Sequence, residues 1–112
     1  MKPSDALTAL TDALRAHGLR VALRPGDLTP PCVLVQLWGP SDTGELIDPL
    51  TTTFVTYAIP LRGTDDTPAD CALMDTVIAA LSPVTLDAVT FTRTTVTVTD
   101  TSWPCYRADA VV

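Results

Sequence analysis

The chain contains no asparagine, one glutamate, one histidine, one lysine, and two each of Phe, Trp and Tyr. Each shortage removes a class of function. Without asparagine there is no acceptor for an N-linked glycan. With Glu45 as the single glutamate, and no run of alternating oxygen ligands around a glycine bend, a calcium loop has neither its spacing nor its closing carboxylate. His17 stands alone, in the last turn of a helix where a donor side chain helps the terminus. No Gly-x-Ser-x-Gly or Cys–His pattern offers it a nucleophile. Cys32, Cys71 and Cys105 are odd in number, far apart and free of any Cys-x-x-Cys spacing, so zinc binding and dithiol redox chemistry lack their minimal constellation. Each lies in an apolar segment, and buried free thiols are expected rather than a disulfide framework. No catalytic residue, cofactor or metal site is expected, and the chain reads as a non-enzyme.

Cations are also few. Lys2, Arg15, Arg20, Arg24, Arg62, Arg93 and Arg107 are scattered singly against thirteen acids, for a net charge of −6. Tight nucleic-acid binding needs clustered cations that release counterions, so DNA or RNA is not expected as a high-affinity partner. An acidic wall would instead repel phosphates and let DNA pass without holding it. Residues 1–5 lack the apolar core of a signal peptide and no apolar run is long enough for a membrane span, which predicts a chain that is cytosolic when made.

What is present is apolar material: 46% of 112 residues are hydrophobic and 18% charged. That suffices for one core and not for two, so residues 1–112 read as a single domain.

Ser4 or Asp5 is placed to cap a helix running to residue 17, with Leu7, Leu10 and Leu14 on its apolar stripe beside Ala6 and Ala13, and Thr8, Thr11, Asp12 and Arg15 on the wet side. Gly18 stops it. Residues 19–23 alternate as a half-buried strand, and residues 32–38 are nearly continuous in apolar character, as a strand covered on both faces would be. Residues 39–49, with two prolines and two glycines, read as a long exposed loop. Its adjacent aliphatics Leu46 and Ile47 need cover, from their own domain or from a neighbour.

Residues 50–61 return to strand character, with Thr53, Val55, Tyr57 and Ile59 on one face and Phe54, Thr56 and Ala58 on the other, ending at Pro60. Thr67 as cap, Pro68 at the first helical position and Asp65, Asp66 and Asp70 near the positive end of the dipole open a second helix. Its predicted stripe is Cys71, Met74, Ile78 and Leu81 with Val77 alongside, and Asp75 on the solvated side, until Ser82-Pro83. From residue 89 to 99 a long Thr- and Val-rich strand is expected, bulged or broken near Arg93-Thr94. A turn at 100–102 then leads to a final strand at 103–111.

The order α-β-β-β-α-β-β predicts an α+β domain: a mostly antiparallel sheet of four or five strands with both helices on one face. The opposite face is expected to carry many of the nineteen threonines. Trp38, Trp103 and Tyr106 lie near strand ends, either as interface anchors or closing the core edge.

Gly18-Leu19-Arg20-Val21, Pro30-Pro31-Cys32-Val33-Leu34-Val35, Tyr57-Ala58-Ile59-Pro60, the Asp-rich helix entry and Trp103-Pro104-Cys105-Tyr106-Arg107 together resemble the tail terminator, or minor tail, proteins of long-tailed phages of actinobacteria. The resemblance spans nearly the whole chain. It implies a virion subunit, assembled in the host cytoplasm, that forms a hexameric ring at the head-proximal end of the tail. Its partners would be other copies of itself, the tail tube protein and a head-side connector, with DNA passing through the bore. Two other readings fit the same residues: a different head–tail connector or completion protein, and a small-molecule-binding α+β module with an apolar pocket.

Overall fold

A computed structural model describes residues 2–37, 52–61 and 66–112. Along the chain come helix α1 (Pro3–Ala16), strand β1 (Val21–Ala22), a 3-10 turn (Pro25–Asp27), β2 (Cys32–Leu37), β3 (Thr53–Ile59), α2 (Thr67–Leu81), β4 (Thr92–Val98) and β5 (Thr101–Val111). The strands form one five-stranded sheet in the order β1-β2-β3-β5-β4. Among the described strands only the β1–β2 pair is parallel. The α+β class and the α-β-β-β-α-β-β order are those expected. The 39–49 loop, with Leu46 and Ile47, and Trp38 before it lie outside the described residues, as do Arg62 and Asp65.

Helix α1 begins two or three residues earlier than the Ser4 or Asp5 cap would place it. Pro3 occupies the first turn and Lys2 is the cap residue, with no side-chain cap bond. Proline suits that position because its missing N–H is one the helix could not have bonded. The stop is the one expected: Gly18 has φ +79°, and Gly18 N–H donates to Arg15 O at 3.0 Å while Leu19 N–H reaches back to Leu14 O at 3.2 Å. This is a Schellman ending, which needs the left-handed residue that glycine supplies most cheaply. His17 Nδ1 donates to Ala13 O at 3.0 Å, so the lone histidine serves the helix end. Thr11 departs from expectation. It is 5% exposed, on the buried side with Ala6, Leu10 and Leu14, and its hydroxyl donates to Leu7 O at 2.9 Å. A threonine that bonds its own preceding turn carries no unsatisfied group into the interior.

Helix α2 starts on Asp66, whose carboxylate accepts from Ala69 N–H at 3.1 Å, which puts Thr67 and Pro68 inside the first turn rather than Thr67 at the cap. An Asp66→Ala variant is expected to lose about 1 kcal/mol of stability, readable as a lower urea midpoint at unchanged slope. The buried stripe also differs from the expected one. Val77, Ala80 and Leu81 are buried with Leu73 packed alongside, whereas Cys71 is exposed and Ile78 is 37% exposed. The helix is apolar on nearly every side, so several faces satisfy helical spacing, and packing against α1 and the sheet selects one.

The two faces of the sheet follow from the strand register. Val33, Val35, Phe54, Ala58 and Ala110 point toward α1 and α2 and join their buried residues in one core. Thr56 belongs to this face too, 1% exposed, with its hydroxyl donating to Ala108 O at 2.8 Å. On the opposite face a second cluster gathers Ala22, Cys32, Leu34, Ile59 and Cys105, flanked by Leu28, Tyr57, Val96 and Trp103. That overturns the picture of a threonine-covered face. Threonines divide between the two sides, Thr53, Thr92, Thr94 and Thr101 on this one and Thr56, Thr95 and Thr97 on the other. β2 is buried on both faces, as its continuous apolar run implies.

β4 pairs with β5 residue for residue from Thr92↔Arg107 to Val98↔Thr101, with no break at Arg93-Thr94. The turn between them is Thr99-Asp100, earlier than expected, and Thr99 takes the left-handed φ of 54° that a tight hairpin demands. β3 reaches β5 only from Tyr106 to Val111. Along Thr101–Cys105 the described register of β5 is with β4.

Candidate interaction surface

Several side chains able to carry chemistry hold the fold. His17 is on its own helix end. Asp66 caps α2, and Asp70 Oδ2 accepts the hydroxyl of Tyr106 at 3.0 Å. The other oxygen, Asp70 Oδ1, is buried with no hydrogen-bond partner among the described residues. Asp70, by accepting the hydroxyl proton, and then burial hold the Tyr106 phenol above its usual range. Burial pushes the Cys32 thiol up, partly offset by a backbone hydrogen bond at Thr29 and by the charge of Arg20. Burial likewise pushes Cys105 up to about 11 against a backbone hydrogen bond at Val96. A thiol kept protonated in an apolar site is a poor nucleophile. All three cysteines are free, Cys32 and Cys105 buried and Cys71 exposed, so Cys71 departs from the expected burial. Among the described residues no three His, Cys, Asp or Glu side chains converge as metal ligands, and no helix is long and apolar enough to cross a membrane.

Two of the surface depressions lined by described residues bear on the site. One, of about 530 Å³, lies over β3, β5 and β4 between Thr53, Thr92, Val111 and the 87–90 segment, with Arg107 and Asp109 on its floor. These two form an ion pair at 3.2 Å, both well exposed, and pairs so exposed add little stability. The other, of about 320 Å³, lies between Pro31, Pro60, Leu61 and the first turns of α2. Its polar groups are Asp66 and Asp70, both already described as serving the fold.

Of the five aromatic and aliphatic residues expected at an interface, Trp103 and Tyr106 are described, and they part company. Residues an odd number apart on a strand face opposite ways. Trp103 lies opposite Val96 against the second cluster, half-buried on the helix-free side, while Tyr106 turns to the helix side and ties β5 to α2 through Asp70. The strand over β4 was expected from the sequence, but its place at the end of the sheet was not. Its burial alternates between exposed and half-buried along its length, and no described residue pairs with its outer edge.

No protein family, curated protein or solved structure matches this chain.

Proposed function

We propose that this chain is a structural virion subunit, a tail terminator that forms a sixfold ring on the finished tail tube, ends its polymerisation and offers a surface for joining the head. The protein is not an enzyme in this reading. Its place is the head-proximal end of the tail, its partners are its own copies, the tail tube protein and the head-side connector, and DNA passes without being held.

The observation that supports a subunit is the outer edge of β4, seven residues long, with which no described residue pairs. The tail end rests on the resemblance carried by Pro30 to Val35 and Trp103 to Arg107. The acidic charge of −6 suits a bore that must not retain DNA.

Electron microscopy of the purified protein mixed with tail tubes tests the reading. A sixfold ring capping one end of each tube is the expected result. Tubes that stay uncapped, or a phage lacking the gene that still makes joined tails of normal length, would overturn it.

A further inference from the structure

Natural sheets protect a terminal strand with proline, lysine, a bulge, inward charge, or a covering helix or loop. β4 shows almost none of these. Its sequence, Thr-Arg-Thr-Thr-Val-Thr-Val, contains no proline, lysine or acid, its register with β5 is one-to-one, and no described element pairs beyond it. It is a β-prone segment with one charge, of the kind that adds a further strand.

The hairpin geometry says which backbone groups face outward. Val98 and Thr101 flank a two-residue turn, and residues in that position exchange hydrogen bonds with each other. Counting back along an antiparallel ladder, Val96, Thr94 and Thr92 bond inward to β5, while Thr97, Thr95 and Arg93 turn their N–H and C=O groups away from it. Pro104 agrees with this parity. It lies opposite Thr95, at a non-bonded pair where a residue without an N–H leaves the β4 ladder intact.

The outward set, residues 93, 95 and 97, is symmetric about Thr95. We propose that β4 is a homotypic docking edge, on which a second copy of this chain pairs β4 against β4, antiparallel, across a twofold axis at Thr95. In that register Arg93 lies across from Thr97 of the second copy and Thr95 across from Thr95, so all three outward residues on each copy are used, making about six hydrogen bonds. The two arginines do not oppose each other, and threonine pairs are favourable cross-strand neighbours. Faces match as well: even-numbered residues meet even-numbered ones, so the Val96–Trp103 sides of both copies lie on one surface. Charge favours a like partner. In a protein with thirteen acids this strand carries none, so two acidic molecules meet along a neutral-to-basic seam. A twofold pair is not a contact within a sixfold ring; the inference does not rest on the proposed function, and both draw on the same β4 edge.

The test is sedimentation velocity on the full chain across a concentration series, with far-UV circular dichroism as the control for folding. The contact is small, so a reversible dimer appearing at about 100 μM is expected. Thr95→Pro removes an outward N–H and leaves the β5 ladder whole, so it is expected to stay folded and become monomeric. Thr97→Glu places a carboxylate across from Arg93 of the second copy at both ends of the seam and is expected to lower the dissociation constant about fivefold. A wild-type chain that stays monomeric at several times that concentration would overturn the inference. So would a dimer indifferent to Thr95→Pro, or one that Thr97→Glu weakens.

Discussion

A Leu10→Ala variant is expected to lose about 3 kcal/mol of unfolding free energy and to melt about 10 °C lower. Leu10 is fully buried, in the same cluster as Val33, Phe54 and Ala110 of the sheet and Val77 and Leu81 of α2. Two helices and the sheet meet around it. Shortening the side chain leaves a cavity whose walls belong to α1, α2 and the sheet at once, and walls held from several directions relax least. Ile78→Ala provides the contrast. Ile78 belongs to the stripe that helical spacing alone suggests for α2, yet it is 37% exposed, and its truncation is expected to lose less than about 1 kcal/mol. Urea unfolding of the two variants distinguishes the faces. Comparable losses at both positions would mean that α2 packs in a different rotation.

The second large effect concerns the thiols. At pH 8 one cysteine, Cys71, is expected to react promptly with a maleimide, while Cys32 and Cys105 wait for unfolding. Their exposures are 0% and 1%. With its pKa pushed up to about 11, Cys105 also holds about one thiolate per thousand molecules at that pH. Mass spectrometry of the labelled protein reads this directly, and rapid labelling of all three sites would refute the second buried cluster.

The same shift sets a pH dependence. In the unfolded chain the thiol of Cys105 ionises near 9, while in the fold it stays protonated to about 11. Between those limits the folded state binds more protons than the unfolded one. Stability is therefore level below about pH 9 and falls above it, at about 1.4 kcal/mol per pH unit for Cys105 once past that value. Cys32 and Tyr106 are raised too and act in the same direction. Urea midpoints measured from pH 7 to 10.5 check the profile, and an unchanged midpoint above pH 9 would contradict it.

Much of the fold is legible in the residues because the signals are local. Gly18 ends α1, Pro60 follows β3, and the acids around Pro68 open α2, each through chemistry confined to one turn. Errors arise where a local signal is degenerate. α2 is apolar nearly all round, so spacing fits both the Ile78 face and the Val77 face, and tertiary packing decides. Thr11 is polar by type yet buried in fact, because its hydroxyl is satisfied within its own helix. The second apolar cluster was hidden for another reason. Its members come from β1, β2, β3 and β5, and a pattern read one strand at a time does not add them together. The interaction surface was partly readable: the odd spacing of Trp103 and Tyr106 already places them on opposite faces. The Tyr106–Asp70 bond joins residues 36 apart, and no local rule links them.

The position of β5 in the sheet has a consequence for how the chain is made. β5 is the last of the described strands to leave the ribosome, yet it sits between β3 and β4. β2 and β3 can pair early, but the other edge of β3 has its partner only after about fifty more residues, a few seconds of synthesis. Helices and hairpins form in microseconds, so α1, α2 and the β2–β3 pair are ready long before the strand that closes the core. For those seconds the nascent chain carries an open edge with apolar residues on both its faces. Of all its stages, this one depends most on chaperones and most invites aggregation.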